Sequence, residues 1–240
     1  ICKPWSRVAK SVHPMGKVPA LSVENKSDSD NNKEEDSFVV LESAAINTFL
    51  GDLAREITNN NQLLVPPPAT PQRAKYDSLV LFVMTEIDSQ SLWIHRKHED
   101  LANVFGEAPT AVQEAKRQFE NALDVVAAEI AGDESDGSVD EEMYLLPTGF
   151  SAVDILFVHC CVWSQQIGWL ERTVSAAKEQ TDSSDSGDAN APVEPKHLSP
   201  KLAAYLKRCR SRPAFIRTIE LKKNQVHEEK KKKELPSTKL

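Results

Sequence analysis

Two short segments carry residue types suited to holding a peptide. The first, His13-Pro14-Met15-Gly16-Lys17-Val18-Pro19-Ala20-Leu21, is a glycine turn running into a strand with a proline inside it. Proline removes a ladder donor and is the residue that most readily accepts a cis bond. The Val18 backbone on such an edge is free to pair with an extended peptide as an added strand. The second, Val39-Val40-Leu41-Glu42-Ser43-Ala44-Ala45-Ile46, is an apolar strand that stops at Glu-Ser and continues as an Ala-rich amphipathic helix. A helix start offers free amides and the positive end of the dipole, and both favour a carboxylate. Ser43 adds a hydroxyl donor there, and Glu42 adds a charge able to counter an ammonium. Taken alone, Glu42-Ser43 also reads as an ordinary helix start, because serine is a common N-cap.

The elements that must position these residues follow from the local pattern. Residues 1 to about 58 read as strand, short helix (about Ser6 to Val12), strand (Lys17 to Val23), strand (Phe38 to Leu41) and helix (Ser43 to Ile57). The polar, mostly acidic stretch Glu24 to Ser37 joins the last two strands. Hairpin loops usually take about 2–5 residues, so this stretch reads as a disordered insertion that leaves the pairing unchanged. From 59 to 72 the composition shifts to Asn, Pro and Thr, with Pro66-Pro67-Pro68 stiffening the segment into a linker.

Residues 73–221 then read as an all-helical domain. Leu79, Val80, Val83, Met84, Ile87, Ser91 and Ile94 recur at helical spacing. A second helix runs from about Thr110 to Ala131, with Val112, Ala115, Phe119, Leu123 and Val126 on one face. Low-complexity segments at Gly132 to Glu142 and Thr181 to Pro195 read as surface loops, and residues 222–240 as a basic, disordered tail. The sharpest structural motif is Gly149-Phe150-Ser151-Ala152-Val153-Asp154-Ile155. Ser151 and Asp154 stand at capping-box spacing, with Phe150 and Ile155 placed as a hydrophobic staple. The apolar helix that follows must be central.

These residues resemble the glutathione transferase family. The shared features are the Lys17-Val18-Pro19 strand, Glu42-Ser43 at the next strand-to-helix junction, the Ser151–Asp154 capping box, and Ser199-Pro200-Lys201-Leu202 and Arg212-Pro213-Ala214-Phe215 as closing helices. The resemblance runs from Lys17 to about Phe215. It implies an α/β thioredoxin-like N-terminal domain, here incomplete, followed by an all-α helical domain. It further implies that glutathione is bound by Lys17, Val18, Pro19, Glu42 and Ser43, and that its thiolate is conjugated to small hydrophobic electrophiles in a homodimeric, cytoplasmic detoxification enzyme. Lys10 and Arg7 are further candidates for the glycine carboxylate. The electrophile would sit between the domains against the first long helix, where Trp93 is the candidate, with His95 and His98 nearby.

A free thiol with a pKa near ~8.5 is only slightly ionised at neutral pH and must be activated. In the family that residue, a Tyr, Ser or Cys, follows the first strand, and here it is expected before Ile1. Cys2 is too close to Pro19 for that role, since an intervening helix, strand and helix need ~30 residues or more. Cys160 and Cys161 lie on an apolar helix, where inert buried thiols are the expectation.

A net charge of −7 excludes a nucleic-acid binder of the basic type, and an apolar content of 40% over 240 residues supplies a real core. Four cysteines without metal or disulfide-framework spacing point to a reducing compartment and no metal. The longest apolar stretch, around Ile155 to Val162, is far shorter than the ~20 residues that cross a bilayer. Thr238-Lys239-Leu240 comes close to the peroxisomal Ser-Lys-Leu address and keeps that compartment as an alternative. On the same resemblance, a non-catalytic docking module of a translation-type assembly is the main competing function, and isomerase or dehalogenase chemistry a third.

Overall fold

The computed structural model describes residues 12–24, 37–57, 64–130, 144–173 and 195–234, with side chains up to Gln225. The readings for Cys2, Arg7, Lys10, the Ser6 helix, the interiors of the three low-complexity stretches and the last six residues lie outside the described residues.

Strands β1 (Ala20–Glu24) and β2 (Ser37–Leu41) pair antiparallel, from Ala20 opposite Leu41 to Glu24 opposite Ser37. The strand expected from Lys17 enters the ladder only at Ala20. Gly16, at φ 64, closes a turn in which its amide donates to the His13 carbonyl at 2.8 Å, and Pro19 then has no N–H to give. Helix α1 (Ser43–Ile57) follows β2 directly.

α1 is fastened to the helical domain by close contacts. Asp52 meets the Arg73 guanidinium at 3.3 Å, and Thr48 Oγ1 lies 2.8 Å from the Tyr76 hydroxyl. A Cβ on Gly51 would come within 2.3 Å of Val65 Cγ2, so only glycine permits this approach. The segment after the boundary is tied in as well, since the Ala152 amide donates to the Leu64 carbonyl at 2.8 Å.

Helix α2 (Pro71–Phe82) takes up the last two residues of the expected linker. Thr70 accepts from the Arg73 amide at 3.1 Å, and Pro71 occupies the first turn, where its missing N–H costs nothing. α2 runs on without a break as a π-helical stretch (Val83–Leu92), one α turn (Trp93–His95) and a second π stretch (Arg96–Asp100). Then come α3 (Ala102–Phe105), α4 (Pro109–Ile130), α5 (Ala152–Gln166), α6 (Pro200–Ser211) and α7 (Pro213–Glu234).

α5 is the central helix: Val153, Leu156, Phe157, Cys160 and Cys161 are buried, and Ile155 and His159 face outward. α4 lays Phe119, Leu123 and Val126 along the π stretch of α2. Beyond α5, Leu170 and Lys196 form a parallel bridge. There the Glu171 amide donates to the Lys196 carbonyl at 3.0 Å and the Lys196 amide to the Trp169 carbonyl at 2.8 Å. The expected disordered tail from Lys222 is corrected by α7, which stays helical to Glu234. Neither glycine nor proline interrupts residues 214–234, so nothing in the backbone chemistry stops the helix there. Among the described residues no helix is long and apolar enough to cross a membrane.

Candidate functional site

The Ala20–Leu41 register brings the two sequence-predicted segments to one end of the sheet, with Val18-Pro19 leading into β1 and Glu42-Ser43 leaving β2. The Val18–Pro19 peptide is cis. Val18 is 69% exposed, and Lys17, Pro19 and Glu42 are exposed beside it. Val18 precedes the ladder, which leaves its backbone open for an added strand. Glu42 sits at φ 71, a left-handed conformation that costs a non-glycine residue about 1–3 kcal/mol and concentrates at binding sites.

Ser43, half-buried, opens α1. The first backbone bond closes from the Ile46 amide to the Glu42 carbonyl at 2.9 Å. The amides of Ser43, Ala44 and Ala45 have no partner among the described residues, and with the helix dipole they form a place for an anion. His13, which sequence reasoning passed over, is buried and accepts the Met15 amide at 3.1 Å through Nδ1, shaping the turn that delivers Lys17.

The helical domain supplies the opposite wall, and its π geometry matters. The Trp93 amide bonds to the Asp88 carbonyl, five residues back. Residues five apart diverge by roughly 140° on an α-helix, whereas one π turn stacks them. Trp93 therefore directs its indole N–H at the Asp88 carboxylate. Burial pushes the Asp88 carboxyl up to about 6; Glu42 adds to the rise, while the Trp93 hydrogen bond, Arg96 and Lys17 oppose it. Asp88 thus feels the charges of Arg96 on its own helix and of Glu42 and Lys17 at the end of the sheet. Next to it the Arg96 guanidinium lies over two indoles, 5.0 Å from the Trp93 ring and 5.8 Å from Trp163 on α5. The two rings meet edge to face at 6.3 Å.

His95 and His98 have other uses. His95 packs edge-on against Trp169 at 5.2 Å, and His98 Nδ1 lies 2.9 Å from the Gly106 carbonyl. Cys160 and Cys161 are buried free thiols whose pKa values burial drives upward, that of Cys161 to about 12. Among the described residues no group of three or more His, Cys, Asp and Glu is placed to hold a metal ion.

Ser151 and Asp154 form a closed network. The Ser151 amide and hydroxyl donate to Asp154 Oδ2 at 2.7 and 2.9 Å, and the Leu145 amide and Tyr205 hydroxyl donate to Oδ1 at 3.1 and 2.8 Å. Burial raises the Asp154 pKa, and these four donors oppose the rise. Phe150 packs edge-on against Tyr144 at 5.5 Å beneath the Arg212 guanidinium at 3.7 Å, and Ile155 stays 45% exposed.

No protein-family profile and no curated protein matches this sequence. Solved structures do match. Yeast Ure2p in complex with glutathione superposes with a TM-score of 0.62 at 16% identity, over 90% of this chain and 81% of that one. The chain has the glutathione transferase fold. Ure2p5 from Phanerochaete chrysosporium, cocrystallised with 1-(S-glutathionyl)-2,4-dinitrobenzene, gives a TM-score of 0.60 at 12% identity, over 93% of this chain and 83% of that one. A glutathione transferase homologue from Lodderomyces elongisporus, with two glutathiones per subunit, gives 0.61 at 13% identity, over 90% and 80%. In this fold the paired strands belong to a thioredoxin-like N-terminal domain and the helices from α2 onward to an all-α C-terminal domain.

Proposed function

We propose that this protein is a glutathione-binding transferase-type protein that presents the thiol to electrophiles in the cleft between its two domains. One observation carries the reading: the cis Val18–Pro19 peptide and the Glu42-Ser43 helix start converge at one end of the sheet. The Val18 backbone pairs with the cysteinyl amide and carbonyl of glutathione. The free amides at Ser43 take the γ-glutamyl carboxylate, Glu42 counters the ammonium, and Lys17 meets the glycine carboxylate. Each partner is the charge or hydrogen-bond complement of its part of the ligand.

With the thiol held there, its sulfur points toward the wall bearing Trp93, where the electrophile is received. The thiol-activating group lies outside the described residues. We further propose a homodimer acting in the cytoplasm in detoxification. Structures of this fold holding S-hexylglutathione and S-p-nitrobenzylglutathione are consistent with a wall that accepts apolar groups on sulfur. A docking or regulatory protein is the second reading, favoured by the nitrogen regulation fragment of yeast Ure2p, which shares this fold.

Calorimetry of the full-length protein with glutathione tests the site. Ser43→Ala, which removes one hydrogen bond worth about 1 kcal/mol, should weaken binding about fivefold. Unchanged affinity would remove Ser43 from the site, and no binding by the unaltered protein would overturn the proposal.

A further inference from the structure

One recess of the helical domain is built from cations without acids. It lies where the chain leaving α5 meets the last turns of α6, and its volume is about 420 Å³. Its lining includes Arg172, Lys207 and Arg210 beside the apolar Leu198, Ala203 and Leu206, and among the described residues no aspartate or glutamate.

Neutral groups hold the two arginines. Gln165, near the end of α5, is buried, and its side-chain amide donates to the Glu171 carbonyl at 2.7 Å. Its side-chain oxygen accepts from Arg210 Nη2 at 2.6 Å, and its backbone carbonyl accepts from Arg172 Nε at 3.2 Å. One glutamine thus fixes two guanidiniums around the same recess and neutralises neither. Arg210 Nε is buried without an acceptor among the described residues. Among those residues, no carboxylate lies within 4 Å of Arg172, Lys207 or Arg210. Burial lowers the Arg210 pKa, opposed only by the thiols of Cys161 and Cys209.

Helix ends do not absorb this charge. The closing carbonyls are met by the chain itself: Ser164 by the Trp169 amide at 2.9 Å, Cys209 by the Arg212 amide at 3.4 Å, and Arg208 by the Ser211 hydroxyl at 2.9 Å. Glu171, which borders the recess, is engaged elsewhere. Its Oε2 accepts the Leu198 amide at 3.1 Å and meets His197 Nδ1 at 2.8 Å.

A half-buried guanidinium is costly to leave unpaired, and its edges match the oxygens of an anion in pairs. Three cations outweigh a single negative charge, whereas a phosphate monoester brings nearly two, spread over three oxygens. We propose that this recess binds a small phosphate monoester with a compact apolar body. Arg172 and Arg210 hold the phosphate, Lys207 adds charge, and Leu198, Ala203 and Leu206 receive the esterified group. The site belongs to the helical domain alone and does not depend on the glutathione reading.

Calorimetry of the full-length protein tests this with three probes: phenyl phosphate; phenyl sulfate, which keeps the ring with a single charge; and inorganic phosphate, which keeps the charge without the ring. Phenyl phosphate should bind about tenfold more tightly than either. Arg172→Gln and Arg210→Gln should each weaken it about tenfold, and Lys207→Gln about threefold. Arg172 and Lys207 are exposed, so their variants should keep the melting temperature of the unaltered protein and carry the test if Arg210→Gln disturbs the fold. Saturating S-hexylglutathione should leave phenyl phosphate binding unchanged. Displacement would put the probe at the sheet end and overturn the assignment. No binding of phenyl phosphate, an affinity matched by either other probe, or one that survives both arginine substitutions would do the same.

Discussion

Two helix starts in this molecule carry a serine and a carboxylate, and they do opposite things with them. At α1 the acid, Glu42, precedes Ser43, and three residues beyond the serine stands Ile46, which accepts nothing. Among the described residues the first amides have no partner, and the site is open beside exposed Lys17, Val18 and Pro19. At α5 the acid, Asp154, follows Ser151 by three residues and folds back onto it, with Leu145 and Tyr205 filling its remaining lone pairs. The same residue types yield a docking place in one order and a buried clasp in the other. Spacing decides whether a helix start is spent on its own chain or kept for a ligand.

The largest effect that could break this comparison lies at the clasp. Asp154→Ala leaves two amides and the Ser151 and Tyr205 hydroxyls buried without this acceptor and should cost about 3–5 kcal/mol. Thermal melts would show it, and the folded fraction should keep its glutathione affinity. An equally stable variant would mean that Asp154 is not structural. A smaller loss belongs to Gly51→Ala, between the two regions. The new methyl would strike Val65, and overpacking of this kind costs about 1–3 kcal/mol. Because α1 carries Ser43, this variant should weaken ligand binding as well as stability, and a change in only one of the two would separate α1 from the site.

The smallest effect is at Asp88, which shares both characters, being largely buried yet facing the cleft. Its folded pKa is raised to about 6 from the ordinary 3.8, so the native state holds a proton that the unfolded chain has released. Its contribution is complete below pH ~4 and is lost as the pH rises through ~6. Asp88→Asn should therefore raise the melting temperature more at pH 7 than at pH 4. Equal shifts at both values would place the Asp88 titration elsewhere.

How far the sequence could be read follows from the same contrast. Both serine motifs, the Pro19 interruption and the Gly16 turn act over a few residues, and local spacing exposes them. The wall was visible only as Trp93. Arg96 and Trp163 lie far apart in the sequence and meet only through packing, which no local window reveals. The π stretch was hidden too: Val83, Ile87 and Ser91 recur every fourth residue, a rhythm that fits an ordinary helix while the hydrogen bonds slip to the fifth. The reading of a disordered tail failed because lysine and glutamate propagate a helix as readily as they solvate a coil.

The pairing of Trp169 and Glu171 with Lys196 has a consequence for the chain's tolerance of change. Glu171 and Lys196 lie side by side although 25 positions separate them, and Glu24 and Ser37 are paired across the hairpin in the same way. Once two ends are pinned together, the entropy of closing what lies between grows only with the logarithm of its length, about 0.6 kcal/mol for each doubling. A change in the number of residues between either pinned pair therefore carries little closure expense, and these are the two places where the fold's own pairing tolerates a change of length best.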